Sequence, residues 1–245
     1  VPGRAMDARL CQARPLGRPL VGQGLACGVE AVCHFCDWGE RMDMNIREFD
    51  RVAREVFAPV YPVIAGQIRA RTGITAGVCL DIGTGGGYLG IALAGLTDLE
   101  FYLMDKSPEM LEIAYMNVVG AGLQNRVRTI LGDVHDIPRE DNSVDLVISR
   151  GSLFFWEDKS RAFSEIHRVL KPGGKAYVGG GMGTGKLYRK IREEREKRNP
   201  ERQEDGKEGR FADHRELYRE ALNRAGISTY TLIRGDEGSW IQIAK

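Results

Sequence analysis

The stretch Val78–Gly90, VCLDIGTGGGYLG, is the strongest structural signal in this chain. It opens with a short apolar run, Gly77–Ile82, which has the length and composition of a buried parallel strand. Gly83, Gly85, Gly86 and Gly87 follow at once, and a helical run, Tyr88–Leu96, comes next. A strand, a glycine turn and a helix in this order bring backbone N–H groups and a helix N-terminus close to a ligand. Because a Cβ atom would block that approach, the glycines predict a ligand at this turn.

The spacing of the glycines and of one later acid is typical of nucleotide cofactors. Gly85-x-Gly87-x-x-Gly90 matches the dinucleotide fingerprint, which is a weak signal by itself. Asp105 ends an apolar run about twenty residues after the turn, where a ribose-binding carboxylate is expected. A carboxylate suits vicinal hydroxyls because it accepts two hydrogen bonds and donates none. A structural turn without a ligand is the alternative.

Composition limits the classes of protein that fit. The chain has 245 residues, of which 42% are hydrophobic, so one domain with one sizeable core is expected. A formal net charge of +1 argues against a broadly basic nucleic-acid-binding protein. No apolar run approaches the length of a membrane span, and we expect no secretory signal, because the first residues are rich in Arg, Gly and Pro. Five cysteines, an odd number, favour a reducing compartment, and we expect a cytoplasmic protein.

Residues 1–41 differ from the remainder of the chain. Their Gly, Pro, Ala and Arg residues follow no period, which predicts a poorly ordered leader. A mis-called start is one hypothesis, with Met42 or Met44 as the natural first residue. Cys33 and Cys36 form a C-x-x-C, but zinc usually takes two such pairs and the chain has one. We therefore expect no metal site.

The pattern after residue 41 predicts a single domain over residues 42–245. Residues 42–71 carry two amphipathic helices broken by prolines and form a helical cap, in which Phe57 or Tyr61 could cover a cofactor. Strands and helices then alternate, with a third strand expected over Val127–Leu131, a helix over Lys159–Val169 and a fifth strand over Lys175–Val178. Two alternating strands joined at residues 235–238 close the chain as a hairpin. The expected fold is α/β: a Rossmann-like, seven-stranded, mostly parallel sheet with a terminal antiparallel hairpin and helices on both faces. A charged helix within residues 180–210 is either a solvated helix or a lid-like insertion over the substrate.

Asp81-x-Gly83-x-Gly85-x-Gly87 resembles the first motif of the class I S-adenosylmethionine-dependent methyltransferases. Four later features have the order of that family: Asp105, Gly132-Asp133 after the third strand, the DLVIS run at residues 145–149, and LKPGG at residues 170–174. The resemblance covers roughly residues 45–245. Within the family, the chain looks most like the small-molecule enzymes of ubiquinone and menaquinone biosynthesis.

The resemblance implies S-adenosyl-L-methionine as cofactor. It also implies that the turn holds the methionine end and that Asp133 accepts a hydrogen bond from the adenine amino group. The implied cofactor-binding residues are Asp81, Gly83, Gly85, Gly87, Asp105, Lys106, Asp133, Val134 and Ser149.

The implied reaction moves the methyl group to a nucleophilic atom of a small-molecule acceptor. No motif names that acceptor or a general base, and the catalytic residues stay unknown. His135 and Arg150 are weak candidates. Arg150 either orients an acidic acceptor or pairs with Asp145 or Asp136. An NAD(P)-dependent oxidoreductase and a non-catalytic adenosyl-binding regulatory module are the alternative functions.

Overall fold

A computed structural model of the protein describes residues 46–198 and 214–245. The predicted leader at residues 1–41, with Cys33 and Cys36, lies outside the described residues, as do residues 199–210 of the predicted 180–210 insertion. The helices are α1 (Ile46–Glu55), α2 (Val60–Thr72), α3 (Tyr88–Ala94), α4 (Pro108–Gly120), α5 (Lys159–Val169), α6 (Gly185–Arg198) and α7 (Arg215–Arg224). The strands are β1 (Ala76–Ile82), β2 (Asp98–Asp105), β3 (Val127–Leu131), β4 (Val144–Arg150), β5 (Leu170–Gly180), β6 (Tyr230–Gly235) and β7 (Gly238–Ala244).

The seven strands form one sheet in the order β3-β2-β1-β4-β5-β7-β6. Strands β1 to β5 are parallel to one another, and β7 runs antiparallel to both β5 and β6. The predicted fold class is therefore confirmed, including the terminal hairpin. The hairpin's second strand, not its first, is the one that lies beside β5.

Residues on successive strand positions point to opposite faces, which gives the sheet two apolar cores. On one face, Cys79, Phe101 and Ile148 pack with helices α2, α3 and α4. On the other, Leu80 and Val147 pack with helices α5 and α7. Both faces are covered, as the near-continuous apolar strands require.

Helix ends follow the local chemistry of the chain. Ser107, which precedes Pro108 at the start of α4, accepts a hydrogen bond from the backbone N–H of Met110, as an N-cap does. Asp158 caps α5 in the same way, through the N–H of Arg161. No helix of the described residues is both long enough and apolar enough to cross a membrane.

Candidate functional site

The glycine turn connects β1 to α3 at the carboxyl end of the parallel strands. Gly83, Gly85 and Gly87 have φ angles of +63°, +53° and +79°, a region that side chains with a Cβ rarely adopt. The N–H of Thr84 donates to the carbonyl of Met104 over 3.0 Å, so the turn lies across the end of β2. Ligands of open α/β sheets bind at this edge.

Asp105 links the turn to the end of β2. Its Oδ2 accepts the backbone N–H of Gly85 over 2.9 Å, and its Oδ1 accepts that of Ser107 over 3.1 Å. A carboxylate offers about four acceptor positions, so two are still available to a ligand. The half-buried Asp105 is thus fixed in orientation and able to accept further hydrogen bonds.

Asp81 lies beneath the turn. Its side chain is buried, and its Oδ2 accepts the hydroxyl of Thr84 over 2.8 Å and the N–H of Gly90 over 3.2 Å. Burial raises the pKa of Asp81 to about 7, although both hydrogen bonds oppose the shift. Asp81 therefore connects Thr84, in the turn, to Gly90, in the first turn of α3, from beneath the turn.

Asp133 and His135 lie in the loop after β3. Asp133 Oδ1 accepts the backbone N–H of His135 over 2.8 Å and lies 2.5 Å from His135 Nδ1. The N–H bond from His135 lowers the pKa of Asp133, and nearby Lys106, which is exposed, adds to the effect. His135 Nε2 accepts the N–H of Asp158 over 3.2 Å, which assigns the ring proton to Nδ1. Both ring nitrogens of His135 are therefore engaged.

Helix α5 anchors this loop through an ion pair. Glu165 is buried and accepts the backbone N–H of Ile137 over 3.0 Å, while Arg168 Nη2 lies 2.7 Å from its carboxylate. Arg168 also donates to the carbonyls of Ile137 and Arg139. The hydrogen bond from Arg168 lowers the pKa of Glu165. Val134, in the same loop, is buried in the core.

Two serines connect the end of β4 to the end of β1. The hydroxyls of Ser149 and Ser152 are 2.6 Å apart, and Ser152 donates to the carbonyl of Ile82 over 3.2 Å. Since Ser152 has one proton to give, Ser149 is the donor in the serine pair. Ser149 has no exposed surface, so its contribution in this arrangement is to position Ser152.

Helix α1 covers the glycine turn. The hydroxyl of Tyr88 donates to the carboxylate of Asp50 over 2.6 Å, and a Cβ built on Gly85 would lie 3.7 Å from the ring of Phe49. Burial raises the pKa of Tyr88 to about 12. Tyr61 of α2 stacks on Tyr88 with ring centroids 5.3 Å apart. Helix α1 therefore lies against the turn, and α2 packs on the first residue of the helix that follows the turn.

Arg150, the last residue of β4, points toward α2. Its guanidinium carbon lies 5.1 Å from the ring centroid of Phe57 and 5.3 Å from that of Tyr61. The alternative that Arg150 pairs with Asp145 or Asp136 is wrong, because Asp145 instead contacts Lys171 Nζ at 2.7 Å and no described carboxylate forms an ion pair with Arg150. Asp145 and Arg150 are five strand positions apart and face opposite sides of the sheet.

Sequence reasoning missed several residues that build this site: Asp50, Tyr88, Ser152 and Glu165. Tyr88 and Ser152 directly follow the glycine turn and β4, and that position is a usable signal. Asp50 and Glu165 sit in amphipathic helices with no local mark, and only the tertiary structure brings them to the loops. Among residues 46–198 and 214–245, no cluster of three or more His, Cys, Asp and Glu side chains could hold a metal ion.

Comparison with solved structures gives an extended match. A structure of a protein from Methanococcus maripaludis, assigned as an S-adenosyl-L-methionine-dependent methyltransferase, is 43% identical. The match covers 91% of this chain and 97% of that one, with a TM-score of 0.77. An S-adenosylmethionine-dependent methyltransferase from Aquifex aeolicus shares the fold at 20% identity, with a TM-score of 0.59 and coverage of 81% and 97%.

Sequence comparisons agree over the central segment. The Methyltransferase domain family matches residues 80–178. A 2-methyl-6-phytyl-1,4-hydroquinone methyltransferase of Oryza sativa is 37% identical over 40% of this chain and 28% of its own length. The ubiquinone/menaquinone biosynthesis C-methyltransferase of Geotalea daltonii is 30% identical over 42% of this chain and 44% of its own length. The matches thus span less than half of these two curated relatives.

Proposed function

Because the chain belongs to the class I S-adenosylmethionine-dependent methyltransferases, we propose that it moves the methyl group of that cofactor to a nucleophilic atom of a small-molecule acceptor. The single observation that carries the proposal is the hydrogen bond between the Gly85 N–H and Asp105. It makes one continuous surface from a glycine turn, which can approach a ligand with its backbone, and a carboxylate suited to ribose hydroxyls.

The residues at the sheet edge fit the methionine and ribose parts of the cofactor. Gly83, Gly85 and Gly87 form the backbone surface for the methionine end, and Asp105 accepts the ribose hydroxyls with its two remaining acceptor positions. Asp81 is a positioning residue, since it is buried under the turn and bonded to Thr84 and Gly90.

The loop after β3 fits the adenine. Asp133 uses Oδ1 for His135, so its Oδ2 is available to an amino group. The lowered pKa keeps Asp133 ionised, and an ionised carboxylate accepts hydrogen bonds only. Lys106 lies beside this loop on the solvent side, and Val134 fixes the loop in the core. Ser149 acts from β4 as a positioning residue, since its hydroxyl bonds to Ser152, which donates to the carbonyl of Ile82 at the end of β1.

The activated methyl group is the chemistry that the bound cofactor supplies, so the protein mainly aligns the acceptor and excludes water. Phe49, Tyr88 and Tyr61 form the apolar cover through which α1 and α2 exclude water from the turn. His135 holds Asp133 in place and has no free ring nitrogen for proton abstraction. Arg150 lies beside Tyr61 at the carboxyl end of β4, where it could contact the methyl acceptor.

The oxidoreductase alternative is disfavoured by the sheet. Dinucleotide-binding sheets of the Rossmann type have the strand order 3-2-1-4-5-6, whereas here β7 enters antiparallel between β5 and β6. The quinone-type relatives support a small organic acceptor, and the net charge of +1 offers little attraction for nucleic acid. We also propose a cytoplasmic location, which the odd number of cysteines and the free, buried Cys79 support.

The proposal is tested with the purified protein by calorimetric titration of S-adenosylmethionine, S-adenosylhomocysteine and NAD. Binding of the first two without binding of NAD is the expected result, and the reverse would establish the oxidoreductase alternative. Release of S-adenosylhomocysteine in the presence of candidate acceptors then measures methyl transfer. Tight cofactor binding without turnover across hydroxyl, thiol, amine and carbon nucleophiles would favour the regulatory alternative.

A further inference from the structure

Arg150 is a largely buried cation at the carboxyl edge of the sheet, next to Phe57 and Tyr61. It ends β4 and is paired in register with Gly179 of β5. Its Nε donates to the carbonyl of Gly181 over 3.1 Å, and its Nη2 lies 3.6 Å from the sulfur of Met182. The rings of Phe57 and Tyr61 cover its guanidinium group. The side chain is thus fixed in a largely apolar environment.

The hydrogen-bonding capacity of Arg150 is only partly used. A guanidinium group has five N–H donors, and two are directed at Gly181 and Met182. None of the carboxylates in the described part of the chain forms an ion pair with it. Burial lowers the pKa of Arg150, which means that the cation has lost hydration without gaining a counter-ion.

Tyr61 offers a second polar group at the same place. Its hydroxyl makes no hydrogen bond to a described residue, and its ring centroid lies 5.3 Å from the guanidinium carbon of Arg150 and 5.3 Å from the ring centroid of Tyr88. The nearby carboxylate of Asp50 is already bonded to the Tyr88 hydroxyl. The phenol of Tyr61 and the guanidinium group of Arg150 therefore lie side by side, and both have hydrogen-bond donors that no described residue uses. A neutral side chain with one N–H donor could also bind the carbonyl of Gly181. The positive charge of Arg150 is therefore not needed to hold the 181–182 segment.

We propose that the methyl acceptor carries a carboxylate group, which binds to the guanidinium fork of Arg150 and the hydroxyl of Tyr61, with the acceptor's apolar part against Phe57. This inference rests on the proposed function and adds the substrate class to it. A planar carboxylate matches the fork in a bidentate arrangement, and a single guanidinium balances a single negative charge.

The test uses the whole protein saturated with S-adenosylhomocysteine. Acetate, benzoate, 4-hydroxybenzoate and indole-3-acetate are titrated beside their uncharged amides, with calorimetry as the readout. We expect at least one acid to bind at least tenfold more tightly than its amide. Arg150→Gln should abolish that preference, and Arg150→Lys should weaken it, because lysine keeps the charge and loses the fork. Arg126→Gln is the control, since Arg126 also binds backbone carbonyls but lies at the opposite edge of the sheet.

Two results would overturn the proposal: no acid binds better than its amide, or the preference survives in Arg150→Gln. Circular dichroism and S-adenosylhomocysteine affinity report whether each variant is folded, and Arg150→Lys replaces Arg150→Gln if the latter does not fold. Failure of the wild type to bind S-adenosylhomocysteine would instead refute the proposed function. The two failures are therefore distinguishable.

Discussion

The backbone N–H of Gly85 and the carboxylate of Asp105 are joined by a 2.9 Å hydrogen bond across twenty residues of chain. The bond connects the turn after β1 to the end of β2, and it holds the carboxylate in place before any ligand arrives. An acceptor that is fixed in advance loses little conformational entropy on binding. Asp105 is therefore the first residue on which the proposed site can be tested.

Replacing Asp105 by alanine should weaken binding of S-adenosylmethionine by about 1.5–3 kcal/mol, the usual range for hydrogen bonds to a charged group. The change removes the acceptor for the ribose hydroxyls and also frees the Gly85 N–H. Calorimetry measures the affinity. Asp98→Ala is the matched control, because Asp98 is exposed at the other end of the same strand. Equal affinity of Asp105→Ala and wild type would remove Asp105 from the ribose site.

Gly85→Val should abolish cofactor binding while the protein stays folded. Gly85 has a φ of +53°, so valine adds backbone strain and also places a branched side chain where the ligand is expected. Gly122→Val carries the same kind of strain, at φ +69°, in open space after α4. Similar melting temperatures with binding lost only in Gly85→Val would separate the two effects. Normal binding by folded Gly85→Val would mean that the cofactor binds elsewhere.

Asp81→Asn should change how the free energy of unfolding depends on pH. The folded-state pKa of about 7 lies above the ordinary aspartate pKa of 3.8, so folded Asp81 keeps a proton that the unfolded chain releases. Stability from this group is complete below the unfolded pKa and is lost as pH rises through 7, at up to about 1.4 kcal/mol per pH unit. Asparagine can still accept from Thr84 and Gly90 and does not titrate.

Urea unfolding of both proteins between pH 5 and pH 8 gives the comparison. The stability of Asp81→Asn relative to wild type should rise up to about pH 7 and then level off. Asp98→Asn, on an exposed position, serves as the control. Parallel curves for wild type and Asp81→Asn would show that Asp81 titrates in the folded protein as it does in the unfolded chain.

Tyr88→Phe should loosen helix α1 from the glycine turn, because it removes the hydroxyl that donates to Asp50. A hydrogen bond to a charged acceptor contributes about 1.5–3 kcal/mol. We expect faster amide hydrogen exchange in α1 and faster release of S-adenosylhomocysteine, with little change in β3 and β4. Tyr115→Phe on α4 is the control, since the Tyr115 side chain is 53% exposed. Unchanged exchange in α1 would show that this bond does not hold the helix.

Deleting residues 1–41 should leave folding and cofactor affinity intact, because that segment has no periodic apolar positions to pack. Deleting residues 1–55 is the contrasting variant, since it also removes α1 with Asp50 and Phe49. The expected order of cofactor affinity is wild type equal to the shorter deletion, and both above the longer one. A large drop in melting temperature on the shorter deletion would contradict the prediction.

Most of the fold could be predicted because its signals are local. Strand β3 and helix α5 have the predicted bounds. Strand β3 coincides with the short run VRTIL, and the N-cap Asp158 marks the start of α5. Strand β5 was expected from Lys175 but begins at Leu170, because Leu170 pairs with Val144 across a register shift. Residues of a turn motif can pair as part of a strand only where another strand lies beside them. The pairing of Leu170 with Val144 depends on the tertiary structure, and no local pattern in the sequence indicates it.

The site was predictable where a residue ends a strand and not where a helix supplies it. Asp81 was expected from the motif resemblance and Asp105 from its spacing after the glycine turn, and both lie where parallel strands end. Glu165, which anchors the loop after β3 through Ile137, lies 28 residues further along the chain. Its role depends on how α5 packs against the sheet, so no local pattern indicates it.

The position of β7 has a consequence for how the chain folds during synthesis. Strand β7 lies between β5 and β6 and pairs with both of them. Until residues 238–244 have left the ribosome, β6 has no neighbour in the sheet and the outer edge of β5 is unpaired. Exposed strand edges are templates for association with other chains. Nascent chains that stall before Gly238 should therefore be the most prone to aggregate and the most dependent on chaperones.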